Sequence, residues 1–258
     1  MNLIKSEIRK FTSTAVWLWL LIGTVILALL PVVLTLSFAG QQGRGGQPGL
    51  PKITSPQIQT FVLTGPTSAS IFVAILGVIG ITAEYRHRTI TPTFLTTPRR
   101  WKVIVAKLIT YTAVGVLYAA VAAIFVVLVA MVWINAAGGI FSLGGDNWKV
   151  LVGAALSTAL YGIVGVGVGA LIRNQIAAVV GLLAYLFVIE NILRSISSVQ
   201  GVYKFLPGGA TQAMTTYTTL PGTDNNLLSP VQGGIVLVLY GLLFAGLALV
   251  LSTRREVS

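Results

Sequence analysis

Cysteine is absent from the chain, which excludes disulfides, thiolate catalysis and Cys-ligated metals and leaves the redox compartment unread. The lone His87 cannot build a histidine cluster. Acid is scarce as well. The six carboxylates, Glu7, Glu84, Asp146, Glu190, Asp224 and Glu256, are scattered along the sequence and offer no close catalytic pair. No lysine follows a glycine, so the Gly-Lys step of a Walker A phosphate loop is missing, and neither HExxH nor GxSxG occurs. These absences disfavour an enzyme and exclude ATP binding by a Walker A loop within this chain.

Charge of either sign is sparse. Charged residues make up 9% of the 258, against about 25% in soluble domains, while 55% are hydrophobic. With a strongly positive mean hydropathy, the chain reads as an all-α integral membrane protein. Its length accommodates about six spans of roughly 20 residues and leaves no room for a large soluble domain. The net charge of +11 does not imply nucleic acid, because Lys and Arg sit beside hydrophobic runs without interleaved aromatics. Anionic lipid head groups and topology account for them.

Met1 to Thr14 sets Leu3, Ile4, Ile8 and Phe11 at helical spacing amid Lys5, Glu7, Arg9 and Lys10. That pattern fits an amphipathic helix lying at the membrane surface, or a basic flank that orients the first span. Spans are expected at about 15–39, 61–82, 104–134, 150–172, 176–196 and 231–251. Pro31 is expected to kink the first. Its Ser37-Phe38-Ala39 end imitates a signal-peptide cleavage site, but the apolar run is too long for a signal peptide, and an uncleaved span is expected. Gly40 to Gln57, rich in Gly, Pro and Gln, reads as an external loop. In the fourth span, Gly165 and Gly169 form a small-xxx-small pair that permits close helix approach, within one chain or between two. Later, Val199, Val202, Tyr203, Phe205 and Leu206 precede Pro207-Gly208-Gly209, which suits a short helix re-entering the outer membrane face.

The stretch Ile81 to Lys107 holds six of the basic residues and interrupts the apolar chain. Thr91-Pro92 and Thr97-Pro98 each read as an N-cap followed by proline at the first helical position. The first would open a short helix and the second the third span. Ile90, Phe94 and Leu95 fall close to one face of that short helix, with Arg99, Arg100 and Lys102 around Trp101. A small apolar knob amid charge fits a helix docked in another protein's groove, or a loop dipping apolar side chains into lipid.

Within the fifth span stand Glu190 and Asn191, with Arg194 one turn beyond. A carboxylate in a membrane segment is costly, about 2.5–3.5 kcal/mol at the bilayer centre, and points to function. Here its place past the midpoint and the i+4 arginine also allow a structural ion pair. Both readings, substrate passage and structural pair, stand at this level. Orientation follows from Lys and Arg. Placing the N-terminus, the Ile81–Lys107 stretch, the Arg173 turn and the C-terminus on one side collects most of them, Lys107 included, so both termini are expected to be cytoplasmic.

The segments AEYRHRTITPTFLTTPRRWKVIVAK, LIRNQIAAVVG and FLPGGATQAM, in that order, resemble the type-two permeases of ATP-binding-cassette (ABC) transporters. The resemblance implies a six-span half-transporter of a bacterial inner membrane. Two permease copies or homologues would pair, each served by a separate ATPase subunit that binds ATP and Mg. It implies that Glu84, Arg86 and Arg88 begin the ATPase-facing loop, that Pro92 to Thr97 is the coupling helix, and that Pro98, Arg99 and Arg100 form its exit. The amphipathic N-terminus would be the interfacial helix. Substrates implied by the resemblance are drugs, antibiotics, lipids and glycans. A membrane anchor or sensing subunit of an ATPase complex, and a stand-alone channel or carrier, are the alternatives.

Overall fold

Apolar runs in a bilayer have no water to receive their backbone N–H and C=O groups, and a helix satisfies those groups within the segment. The computed structural model describes residues 2–41, 49–87, 100–196, 200–216 and 227–254; the side chains of 2, 100, 200 and 251–254 are outside that description. Among the described residues every regular element is helical, and six segments are long and apolar enough to cross a membrane.

Helix α1, Asn2–Thr12, leads into the first span, α2, Val16–Ser37, which runs through Pro31. The second span starts earlier than hydropathy alone suggests. It is built from α3, Pro56–Val62, a 3-10 turn at Gly65–Ala69, and α4, Ser70–Arg86. The interruption falls at Gly65-Pro66, where proline has no N–H to donate and disfavours a helical residue before it. The third span, α5, Arg100–Ala136, has 37 residues, overrunning the expected 104–134 at both ends. Helix α6, Asn147–Ile172, is the fourth. It stops at Arg173, held in the left-handed region at φ 44°, and Asn174 then caps the next helix by accepting from the Ala177 amide. The fifth span joins α7, Gln175–Ala184, through a π turn at Tyr185–Ile189 to α8, Glu190–Ser195. Two short helices follow, α9, Gln200–Tyr203, and α10, Pro207–Thr215, before the last span, α11, Pro230–Arg254. Pro207 therefore begins a helix as well as ending the segment before it.

Helix α6 is the hub, packed by α4, α5 and α11. Its glycines set the spacing. A Cβ on Gly165 would collide with the Ala74 carbonyl oxygen, and one on Gly169 would lie 2.6 Å from the Ile81 side chain and 2.9 Å from the Val78 carbonyl oxygen. The small-xxx-small pair thus serves contact between α6 and α4 inside one chain. Burial follows this plan: 61% of the second and fourth span windows is covered, against 17% of the first and fifth. Those two outer spans present most of their apolar side chains outward.

Candidate functional site

Four charged side chains meet where α1 crosses the ends of α4 and α5. Lys107, on α5, is 1% exposed, and its ammonium reaches Glu7 Oε2 at 2.5 Å, Glu84 Oε1 at 2.9 Å and the Gly80 carbonyl oxygen at 2.8 Å. An ammonium has three protons, and here each has an acceptor. Lys10 closes the ring, 2.9 Å from Glu7 Oε1 and 2.7 Å from Glu84 Oε1. Two carboxylates and two ammoniums balance, with Glu7 and Glu84 each 4% exposed and Lys10 49% exposed. The cluster therefore ties α1 to α4 across 74 positions of chain, from Lys10 to Glu84, and to α5 across 100, from Glu7 to Lys107.

Local pattern places each member. Ile4, Glu7 and Phe11 fall on one stripe of α1, and that stripe faces the bundle, with Phe11 edge-on to Tyr111 at 6.4 Å. Ile8, counted in the apolar face by sequence, is 49% exposed. The face turned to the bundle carries Glu7, neutralised by Lys107, in place of an apolar residue. At Lys10, burial works to lower the pKa, but hydrogen bonds to Glu84 and Glu7 and their charges together hold it above the ordinary lysine value. Lys107 is the larger departure. It was expected among the cations that set topology at the membrane surface, and it lies inside the protein.

Glu84 is thus turned toward α1 and α5. Arg86, one residue short of the end of the described segment, is exposed and donates to Gln175 Oε1 at 3.5 Å. Arg173 lies over the Tyr85 ring, 5.6 Å from its centre. Arg100 opens α5. Arg88, Ile90, Phe94, Leu95, Pro98 and Arg99, both Thr-Pro caps and the expected helix Pro92 to Thr97 lie outside the described residues.

At the other end, the three residues singled out in the fifth span separate. Glu190 follows the π turn, is 6% exposed, and accepts a hydrogen bond from the Gly208 amide in the first turn of α10. Among the described residues no ion pair joins it to Arg194, which is exposed. The i,i+4 pair that the spacing allows does not form: Glu190 turns into the bundle while Arg194 turns out of it. An otherwise unpaired helix amide takes the carboxylate. Asn191 is exposed and donates back to the Phe187 carbonyl oxygen at 2.8 Å. Gly208 is fixed by this contact: a Cβ there would lie 2.6 Å from the Glu190 carboxyl carbon.

Sequence reasoning singled out Glu84 and missed Glu7, Lys10 and Lys107 as its partners. The only local signal was an acidic residue at i+3 from Ile4 and i−4 from Phe11, on an otherwise apolar stripe. No family model matches the chain, and no curated protein matches it either.

Proposed function

We propose that this chain is the membrane-spanning permease subunit of an ATP-driven ABC exporter. It would move an amphipathic or hydrophobic substrate such as a drug, an antibiotic or a lipid outward, with energy from a separate ATPase subunit that binds ATP and Mg. The observation that carries the reading is the Glu7–Lys10–Glu84–Lys107 cluster. It joins α1 to the two helices that flank segment 88–99, where the resemblance sets the ATPase contact. Force applied to that segment would reach α1, α4 and α5 as one body. Coupling of this kind requires the segment to bind the ATPase dimer differently in its open and closed states.

The same reading puts the cluster and both termini on the cytoplasmic side of a bacterial inner membrane. It leaves the outward apolar faces of the first and fifth spans to a second permease copy or to lipid. The test uses candidate ABC ATPase subunits taken from the same genome, co-expressed with this chain. Phe94→Ala should reduce their co-purification, whereas Glu84→Gln should preserve co-purification and reduce substrate-stimulated ATP hydrolysis. Both measurements unchanged in both variants would sink the proposal.

A further inference from the structure

Beside the ion cluster lies a cavity of about 690 Å³, within the roughly 300–1,000 Å³ range of small-molecule sites. Its two ends differ in chemistry. Phe11, Trp17, Leu76 and Ile79 form an apolar wall, and Lys10, Arg86, His87 and Gln175 stand at the polar end. The apolar wall reaches Val16, which is 43% exposed on the outward face of α2, so the cavity communicates with the surface that borders lipid.

The charges at the polar end do not cancel. Glu7 and Glu84 are balanced by Lys10 and Lys107. That leaves Arg86 in excess. It forms no ion pair among the described residues, and its hydrogen bond to Gln175 is long at 3.5 Å. An unneutralised guanidinium beside an apolar slot open to the membrane complements an amphiphile with an anionic head.

We propose that the cavity holds one anionic phospholipid of the adjacent leaflet, its phosphate at Arg86 and one acyl chain against Phe11, Trp17, Leu76 and Ile79. The lipid fills the space between α1 and α4 next to the ion cluster and so holds α1 in place. This assignment needs no ATPase, and its test is carried out on this chain alone.

Trp17 is a reporter inside the wall, and Trp19, 71% exposed on the same helix, is a reporter of bulk lipid. Two variants, one keeping only Trp17 and one keeping only Trp19 with the other tryptophans changed to Phe, are placed in phosphatidylcholine nanodiscs. Each receives a small fraction of dibrominated phosphatidylglycerol or dibrominated phosphatidylcholine. Trp17 quenching should saturate with phosphatidylglycerol and favour it about fivefold, the contribution of one arginine near an anionic surface. Trp19 should show no preference. Arg86→Gln should abolish the preference at Trp17, and Arg86→Lys should restore most of it. Equal quenching of Trp17 by the two lipids, or a preference that survives Arg86→Gln, would overturn the assignment. Relief of the quenching by inorganic phosphate would overturn it in favour of a soluble anion.

Discussion

Lys107 is where the structure makes its sharpest energetic statement. With contacts of 2.5 and 2.9 Å to two carboxylates, the gross attraction is about 6 kcal/mol for each at an effective dielectric of about 20. Most of that is offset by the several kcal/mol needed to strip water from each buried ion. The net worth of the cluster is therefore small, but the cost of breaking it is not. Lys107→Met leaves Glu7 and Glu84, each 4% exposed, with Lys10 as the remaining member of the cluster. Stranding buried charge in this way costs about 3–5 kcal/mol. Lys10→Met removes an ammonium that is 49% exposed and should cost about 0–1 kcal/mol. At about 2–4 °C per kcal/mol, Lys107→Met should lower the apparent Tm of purified protein by about 6–20 °C. The triple variant Glu7→Gln, Glu84→Gln, Lys107→Met should recover most of the loss, because it removes both signs of charge together. Equal losses for Lys107→Met and Lys10→Met, or no recovery in the triple variant, would refute the argument.

Because the pKa of Lys10 is raised, its contribution to stability is fully present below the unfolded value of about 10.4 and disappears as pH rises through the higher folded value. Stability curves of the parent and Lys10→Met should therefore keep a constant offset through neutral pH and converge only in strong alkali. Gly165→Ala forces a Cβ against the Ala74 carbonyl and should destabilise by about 1–3 kcal/mol, whereas Gly246→Ala, with open space around it, should be neutral or stabilising by up to about 1 kcal/mol. Thermal unfolding of the two variants side by side checks the pair. Glu190→Gln keeps an oxygen for the Gly208 amide and should be tolerated, while Gly208→Ala displaces that carboxyl group and should be the more damaging of the two in the same assay.

The spans were legible because hydropathy and length act locally, and each of the six has a counterpart near its expected place. Local signals also explain the deviations. Gly65-Pro66 breaks the second span where an apolar average sees no break, and the basic first turns of α5 continue a helix that hydropathy ends. The α1 pattern was legible as amphipathic, but not which stripe turns inward. That depends on Lys107, 100 positions from Glu7. The same distance hid the ion cluster, since a lysine beside an apolar run looks identical whether it reaches head groups or a buried carboxylate. For Glu190 an ion pair was one of two open readings, because helical spacing put Arg194 within reach. The competing amide of Gly208 belongs to a different helix, and no spacing rule points to it.

The length of α5 has a physical meaning of its own. Its 37 residues rise about 55 Å, far more than the roughly 30 Å hydrocarbon layer can take up by tilting. The uncharged part from Leu108 to Ile134 rises about 40 Å and matches that layer at a tilt near 40°. With that part set across the layer, Lys107 would stand at the boundary between oil and head groups, and α5 would act as a depth gauge with the ion cluster as its mark. In a thicker bilayer the gauge must stand more upright or draw its mark toward oil, and the second course makes the charges harder to keep. Membrane thickness would then be a variable to which the join between α1, α4 and α5 responds.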